Sequence, residues 1–414
     1  MRSPTKVLMW VENNFPQDTR VANEARLLAD AGYQVAVIAL RSHRQTARES
    51  WNGIEVYRIP TLELFKKTVA TNGSRVSPFF VRLKSFFGYV VEYLYFTSAC
   101  LLVSTYILVR RGFDVMHAHN PPDTLFLAAL AFKLLGKKFV FDQHDLCPEL
   151  YRSRYSAREG VYTRFLRMFE WCSLKLADVT IATNESYKQI QIERANKNPA
   201  DVFVVRNGPN QMRMTPAAPS ARLKRMNKCI LCYVGSLNPQ DGVDYLLRSL
   251  RHLLHGLKRS DFYCVIMGSG DSLQDLRDLA GTLRLNGCVE LTGFISDEDL
   301  QANLAAADIC VDPDPSSPLN DVSTWIKVME YMASAKPIVS FDLKETRFSA
   351  RNAAIYVEPN SETEFAKAIA QLMDQPELQK TMGTYGRCRV EDELQWAKVG
   401  KNLLTAYEAL FAEK

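Results

Sequence analysis

Short apolar runs alternate along this chain with stretches whose apolar residues recur every three or four positions. Lys6 to Val11 is the first run, and Val21, Ala25, Leu28 and Ala29 follow at helical spacing. Gly32 supplies a natural helix stop, and Gln34 to Leu40 reads as a second strand. A strand–helix–strand opening of this kind places a ligand loop at the first strand's carboxyl end. The alternation continues through strands at Phe113–His117, Lys138–Asp142, Asp178–Thr183 and Val202–Val205, with helices at Thr124–Leu135 and Tyr162–Leu176. After Arg206-Asn207-Gly208-Pro209, residues 212–225 are rich in Pro, Ala and basic residues and read as a linker. A second series has strands at Cys229–Val234 and Phe262–Met267 and a helix at Asp297–Ala306, and ends in helices at Ser361–Met373, Pro376–Gly386 and Glu393–Phe411. The fold class is therefore α/β, with parallel sheets. The expected divisions are a first domain over 1–208, a linker over 209–226, a second domain over 227–390 and a closing helix over 391–414.

Val311 to Asp342 is the stretch with the densest chemistry. Pro313, Pro315 and Pro318 forbid a regular helix before Leu319. Ser323 or Thr324 then suits an N-cap for a helix running to about Ser334, and Ile338–Phe341 reads as a buried strand. Lys327 and Glu330 lie one helical turn apart, so both can face one site. A cation beside a phosphate and a carboxylate beside a sugar diol are what a bound nucleotide needs. A solvated ion pair on an ordinary helix fits the spacing equally well. His117, His119 and His144 all fall at strand ends on the expected ligand side, where they suit a binding role or a metal trio. The Gly268-Ser269-Gly270-Asp271 loop suits a phosphate or nucleoside approach, or a plain tight turn.

Composition narrows the classes. At 414 residues the chain is long enough for two cores, and its net charge of +5, without a long basic run, argues against nucleic acid. Nine cysteines without framework spacing fit a reducing compartment. Cys229 and Cys232 form a lone C-x-x-C with no second pair nearby, which does not make a zinc site. Lys6 to Trp10 is too short an apolar run for a signal peptide. Gly88 to Val109 carries one charge, Glu92, and is nearly long enough to span a bilayer. A span would separate two strands that belong in one sheet, so a helix packed on that sheet is expected. Phe79, Phe80, Phe86, Phe87, Tyr89, Tyr93, Tyr95 and Phe96, mixed with Arg75, Arg82 and Lys84, suit peripheral contact with an anionic membrane.

Glu330-Tyr331-Met332-Ala333 and Lys336-Pro337-Ile338-Val339 resemble the second half of the donor-binding signature of family 4 retaining glycosyltransferases, which have the GT-B fold. The signature's first Glu falls at Val322, with Asp321 one place away. Asp18, Arg20, Val21, Glu24 and Ala25 resemble a bacterial polysaccharide-assembly subgroup whose first loop lacks the usual Gly-Gly pair. The resemblance extends over nearly the whole chain. It implies two Rossmann-like domains facing across a cleft, and transfer of a hexosyl unit from a nucleotide-sugar to a glycan or polyprenyl-linked acceptor, with no cofactor and no metal. It implies that His144 of His144-Asp145 contacts the donor sugar, that Glu330 holds the ribose, and that Phe294 and Ile295 edge the nucleobase. Asp18, Arg20, His119 and Asp123 would lie on the acceptor side. Gly235 matches the family's Gly-Arg-Leu turn, but the two cations that neutralise the leaving diphosphate are replaced by Ser236 and Asp241. Lys327 is then the first candidate for that charge, with Arg347 or Arg206 second. Those losses also suit an inactive relative that binds without turnover. A nucleotide-sugar 2-epimerase on the same fold fits the second-half motifs less well.

Overall fold

The computed structural model of the chain describes residues 4–42, 45–62, 78–155, 159–209 and 217–412. It divides into two units, Met1–Arg206 with Gly400–Lys414, and Asn207–Val399.

The first unit is built on an eight-stranded sheet in the order β3-β4-β2-β1-β5-β6-β7-β8. Its strands are β1 (Lys6–Asn14), β2 (Gln34–Arg41), β3 (Arg48–Trp51), β4 (Ile54–Pro60), β5 (Val115–His119), β6 (Lys138–Gln143), β7 (Val179–Ala182) and β8 (Val202–Val204). All described pairings are parallel except β3 with β4. Val7 to Val11 is buried on both faces, which is why β1 reads as an unbroken apolar run. Register fixes the chemistry: His117 and His119 of β5 lie opposite Met9 and Val11 of β1, and His119 lies opposite Asp142 of β6. The β3–β4 hairpin turns on Asn52 and Gly53, both at positive φ (48° and 82°). The Asn-Gly pair is the sequence signal for it.

Helix α1 (Thr19–Asp30) is capped by Asp18, whose Oδ1 accepts the Val21 N–H at 3.1 Å. Asp18 therefore closes a helix end, where the sequence placed it on the acceptor side. Helix α2 (Pro78–Arg110) is longer than the expected Gly88–Val109 segment. Phe96, Cys100 and Ile107 of α2, Phe132 of α3 (Phe126–Lys133) and Leu174 of α5 (Val161–Leu176) join one core cluster on one face of the sheet. Between α3 and α5 runs α4 (Cys147–Tyr155). The Trp10 indole N–H, buried beneath α2, donates to Ser104 Oγ at 3.1 Å. Strands β2, before α2, and β5, after it, both pair with β1, so the helix returns the chain to the sheet it left. Arg75 and the side chains of Phe79, Phe80, Arg82, Lys84, Phe86, Phe87 and Tyr89 lie outside the described residues.

The second unit has a six-stranded, all-parallel sheet in the order β11-β10-β9-β12-β13-β14. The strands are β9 (Cys229–Val234), β10 (Phe262–Met267), β11 (Val289–Gly293), β12 (Ile309–Asp312), β13 (Ile338–Phe341) and β14 (Ala354–Val357). Helical residues 221–224, inside the expected linker, place Leu223 in this unit's core. Residues 210–216 of that linker lie outside the described residues. The expected closing helix Glu393–Phe411 is broken, because Gln395 is extended (ψ 149°) and a new helix, Lys401–Phe411, starts after Gly400. That last helix belongs to the first unit, where Asn402 Nδ2 donates to Val204 O at 2.9 Å.

Candidate functional site

In the first unit, the carboxyl ends of β5 and β6 and one face of α1 converge on buried polar side chains. Arg20 forks onto Asp142, with Nε to Oδ2 at 3.0 Å and Nη2 to Oδ1 at 2.8 Å. Its Nη1 donates to Val205 O at 2.8 Å, and its Nε lies 3.2 Å from Glu24 Oε1. Asp142 Oδ2 also meets His144 Nε2 at 2.8 Å and His119 Nδ1 at 3.2 Å. His117 stacks on His119 with ring centroids 4.3 Å apart, and its Nδ1 lies 3.0 Å from the Tyr407 hydroxyl. Of this group His144 is the most exposed, with 18% of its side chain accessible. The sequence singled out His144, Arg20 and His119. It left Asp142, Glu24 and Tyr407 without a site role.

The electrostatics balance internally. Burial alone would raise the Asp142 carboxyl, but the charges of Arg20 and His144 hold it well below the usual range. Burial, followed by the Asp142 charge, pushes Glu24 well above that range. Burial likewise lowers His117 and His119, keeping both neutral. Arg20 and Asp142 then form an ion pair beside neutral Glu24, His117 and His119. Glu24, His117, His119 and Asp142 have ligand atoms within 4.8 Å of one another, the donor set of a divalent-ion site. The fixed guanidinium of Arg20 already supplies the cation these acids face. Arg20 is thus committed to its own domain and has no spare charge for a phosphate.

His119 and Asp123, expected to line the acceptor side, are 1% and 4% exposed. Asp123 accepts from Asn120 Nδ2 at 2.8 Å, and its backbone carbonyl accepts from Ser173 of α5. Burial, then the charge of Glu170, raises the Asp123 carboxyl to about 7. With an unfolded value of about 3.9, the stability it contributes is complete below that value and is lost as pH rises through 7. Asp123→Asn should therefore flatten the fall in stability between about pH 4 and 7. It should add up to roughly 4 kcal/mol at alkaline pH, an upper bound set by three pKa units. Denaturant melts of both proteins across pH measure this. Parallel curves would show that Asp123 titrates normally.

In the second unit, the end of β9 and the loop after β12 adjoin the helix Ile326–Ala333, and the loops after β9 and β10 pack on each other. A Cβ on Gly268 would lie 1.7 Å from Gly235 O, and one on Gly270 would lie 2.4 Å from Leu237 O. The glycines suggested for a phosphate approach are thus required by one loop packing on the other. Ser236 is exposed, Phe294 is 87% exposed, and Ile295 packs on the core. The helix begins two residues later than expected, with Trp325 at its cap position, so neither Ser323 nor Thr324 caps it. Ser323 Oγ bonds Leu319 O at 2.7 Å, and Thr324 Oγ1 lies 3.4 Å from Glu345. Tyr331 anchors the helix by accepting the Val234 N–H at 2.8 Å.

Lys327 is buried and ion-paired with both Asp312, at 3.3 Å, and Asp314. Its ammonium also lies over the rings of Tyr233 and Trp325, 5.0 and 5.2 Å from their centroids. Burial would lower Lys327, but Asp314, Tyr233 and Asp312 raise it. Burial pushes Asp314 well above the carboxylate range, while Lys327 overcomes burial to keep Asp312 low. The result is one ion pair beside a protonated acid. Lys327 therefore brings no free charge, contrary to its expected part as a substitute for the missing cations. Arg347 is spent as well, forked onto Asp342 at 2.7 and 2.6 Å with its guanidinium over Tyr356. Arg206 is buried at the end of the first unit, and Glu330 is buried one turn beyond Lys327.

Comparison with known proteins follows this division. Residues 17–211 match the model for Glycosyltransferase Family 4, and residues 228–375 match that for Glycosyl transferases group 1. The alpha-D-kanosaminyltransferase of Streptomyces kanamyceticus is 29% identical over 155 residues, 37% of this chain and only 38% of that protein. An uncharacterized glycosyltransferase of Methanocaldococcus jannaschii is 23% identical over 367 residues, 87% of this chain and 85% of the relative. The sucrose-phosphate synthase of Thermosynechococcus elongatus superposes over 98% of this chain and 99% of its own, with a TM-score of 0.73 at 18% identity. The two domain matches and the paired parallel-sheet units together make this chain a glycosyltransferase of the GT-B type, with a family 4 first half and a group 1 second half.

Proposed function

We propose that this glycosyltransferase moves a hexosyl unit from a nucleotide-sugar to a glycan or polyprenyl-linked acceptor, with retention of configuration and without a metal. The observation that carries the reading is the pinned His144. Its Nε2 is held by Asp142, and it keeps the most solvent access of the first unit's polar cluster. Such a ring is fixed in orientation and still able to touch a sugar hydroxyl. Glu330 would hold the ribose diol and Phe294 the base. The N–H groups at the start of the helix Ile326–Ala333 would face the diphosphate, since Trp325 offers no side-chain acceptor for them. Lys327 would set that helix in place through Asp312 and Asp314. The leaving diphosphate would take the proton from the incoming hydroxyl, so no carboxylate nucleophile is required. Cell-surface polysaccharide assembly at the cytoplasmic face of the membrane is the setting this chemistry suits.

A thermal-shift panel of nucleoside diphosphates and their sugars, followed by turnover and product NMR, tests this. One nucleotide-sugar should raise the melting temperature and be consumed, and the product should keep the donor's anomeric configuration. Inversion, or no response to any donor, would overturn the reading. Exposed Ser236 and acidic Asp241 at the positions of the family's cations favour one other function, a partner subunit that binds a nucleotide without turnover.

A further inference from the structure

Beyond the transfer reaction, we infer that the outward faces of α2, α3 and α5 together form a docking surface for an anionic lipid bilayer. Each of these helices has a stripe buried against the same face of the first unit's sheet. Opposite that stripe each carries a second apolar stripe at helical spacing. On α2 it is Leu94, Leu102, Tyr106 and Val109, with Val109 81% exposed. On α3 it is Leu127 and Leu130, continued by Leu134 at 81%. On α5 it is Phe165, Met168 and Trp171. α3 touches both α2 and α5, so the three stripes adjoin. Among the described residues, 14 of the 19 large hydrophobic side chains left exposed lie on these helices or at their ends. A concentration of that kind on one face marks a contact surface, since scattered exposure would need no explanation.

Charge identifies the occupant. Among the described residues, the exposed charged side chains of the three helices, Arg110, Arg164 and Lys175, are cations, and Glu92 of α2 is half-buried. Glu170 points inward to Gln143 and Arg194, and the neighbouring acid Glu159 is paired with Arg167. Arg110 lies over the Tyr106 ring at 5.6 Å, which sets a cation beside an aromatic as at a headgroup boundary. A second copy docking the same face would oppose like charges, whereas an anionic bilayer complements both the cations and the apolar stripes. The Val90–Arg110 segment is apolar enough to cross a membrane. Its other side is held by the sheet and by the Trp10–Ser104 hydrogen bond, so it lies along the surface. The surface differs from the aromatic stretch expected from sequence. Phe96 is buried in the core, and the Tyr95 hydroxyl donates to Pro60 O.

The inference does not depend on which sugar is transferred, and lipid binding tests it directly. The full chain should float with vesicles of phosphatidylglycerol and phosphatidylcholine about tenfold better than with phosphatidylcholine alone, and about 0.5 M salt should weaken this. Val109→Glu with Leu134→Glu should cut flotation about tenfold. Brominated phosphatidylcholine in the anionic vesicles should quench tryptophan fluorescence in the wild type and lose most of that effect in Trp171→Phe. That single change also keeps the test decisive if the double variant folds poorly. Equal flotation with neutral vesicles, no flotation, unchanged quenching in Trp171→Phe, or a dimer in light scattering that the double variant abolishes would each overturn the assignment.

Discussion

Arg20→Ala should destabilise the first unit by about 3–5 kcal/mol, the usual consequence of removing one partner from a buried ion pair. The guanidinium holds Asp142 with two bonds, carries the Val205 carbonyl and faces Glu24. Without it Asp142 keeps only histidine partners, and the cluster must take up a proton or admit water. His144 then loses the group that orients it, so turnover should fall with stability. Arg20→Lys keeps the charge without the fork and should recover only part of the loss. Guanidinium melts followed by tryptophan fluorescence measure the first effect. A change below about 1 kcal/mol would mean that the ion pair is worth no more than a surface one.

Lys327→Met should have a comparable effect on the second unit. It removes the counter-charge of Asp312, leaving a buried carboxylate beside a protonated one, again about 3–5 kcal/mol. Asp312 sits low in the folded state. Its contribution is therefore present above the unfolded carboxylate value and is lost as pH falls through the lower folded one. The variant should lose that acid-side dependence. Adding Asp312→Asn should restore much of the stability, because the two sites are coupled. Donor KM should rise and kcat fall if the helix sets the diphosphate. A stable variant with wild-type kinetics would remove Lys327 from both structure and mechanism.

Much of this architecture is legible in the sequence. The strands of the second sheet announce themselves as short apolar runs, as at Cys229–Val234 and Ile338–Phe341, because both faces are covered. The histidines at strand ends were equally visible, because β5 and β6 carry them to the ligand side whatever their partners. What escaped were the partners themselves. Arg20 and Asp142 are 122 positions apart, and only the strand order places one against the other. Helical spacing accounts for the contact of Arg20 with Glu24, four positions on, but not for Asp142. It likewise put Lys327 beside Glu330, while the tertiary fold gave it to Asp312 at the end of β12 and Asp314 in the loop that follows. The cap of that helix was misplaced because Ser323 and Thr324 found other acceptors. The β3–β4 hairpin was not read from the sequence, although Asn52-Gly53 marks its turn.

The interrupted course of the first unit bears on how the protein is made. Strands β7 and β8 leave the ribosome long before the helix that covers them, since Asn402 is 198 positions beyond Val204 and Tyr407 is 290 beyond His117. At roughly 5–20 residues per second, the nascent first half waits about 10–40 s with that flank bare while the whole second unit is synthesised. Completion of the earlier-made lobe thus waits until the second unit has been synthesised, and a ribosome stalled near position 400 would release a chain whose second unit is complete and whose first is not.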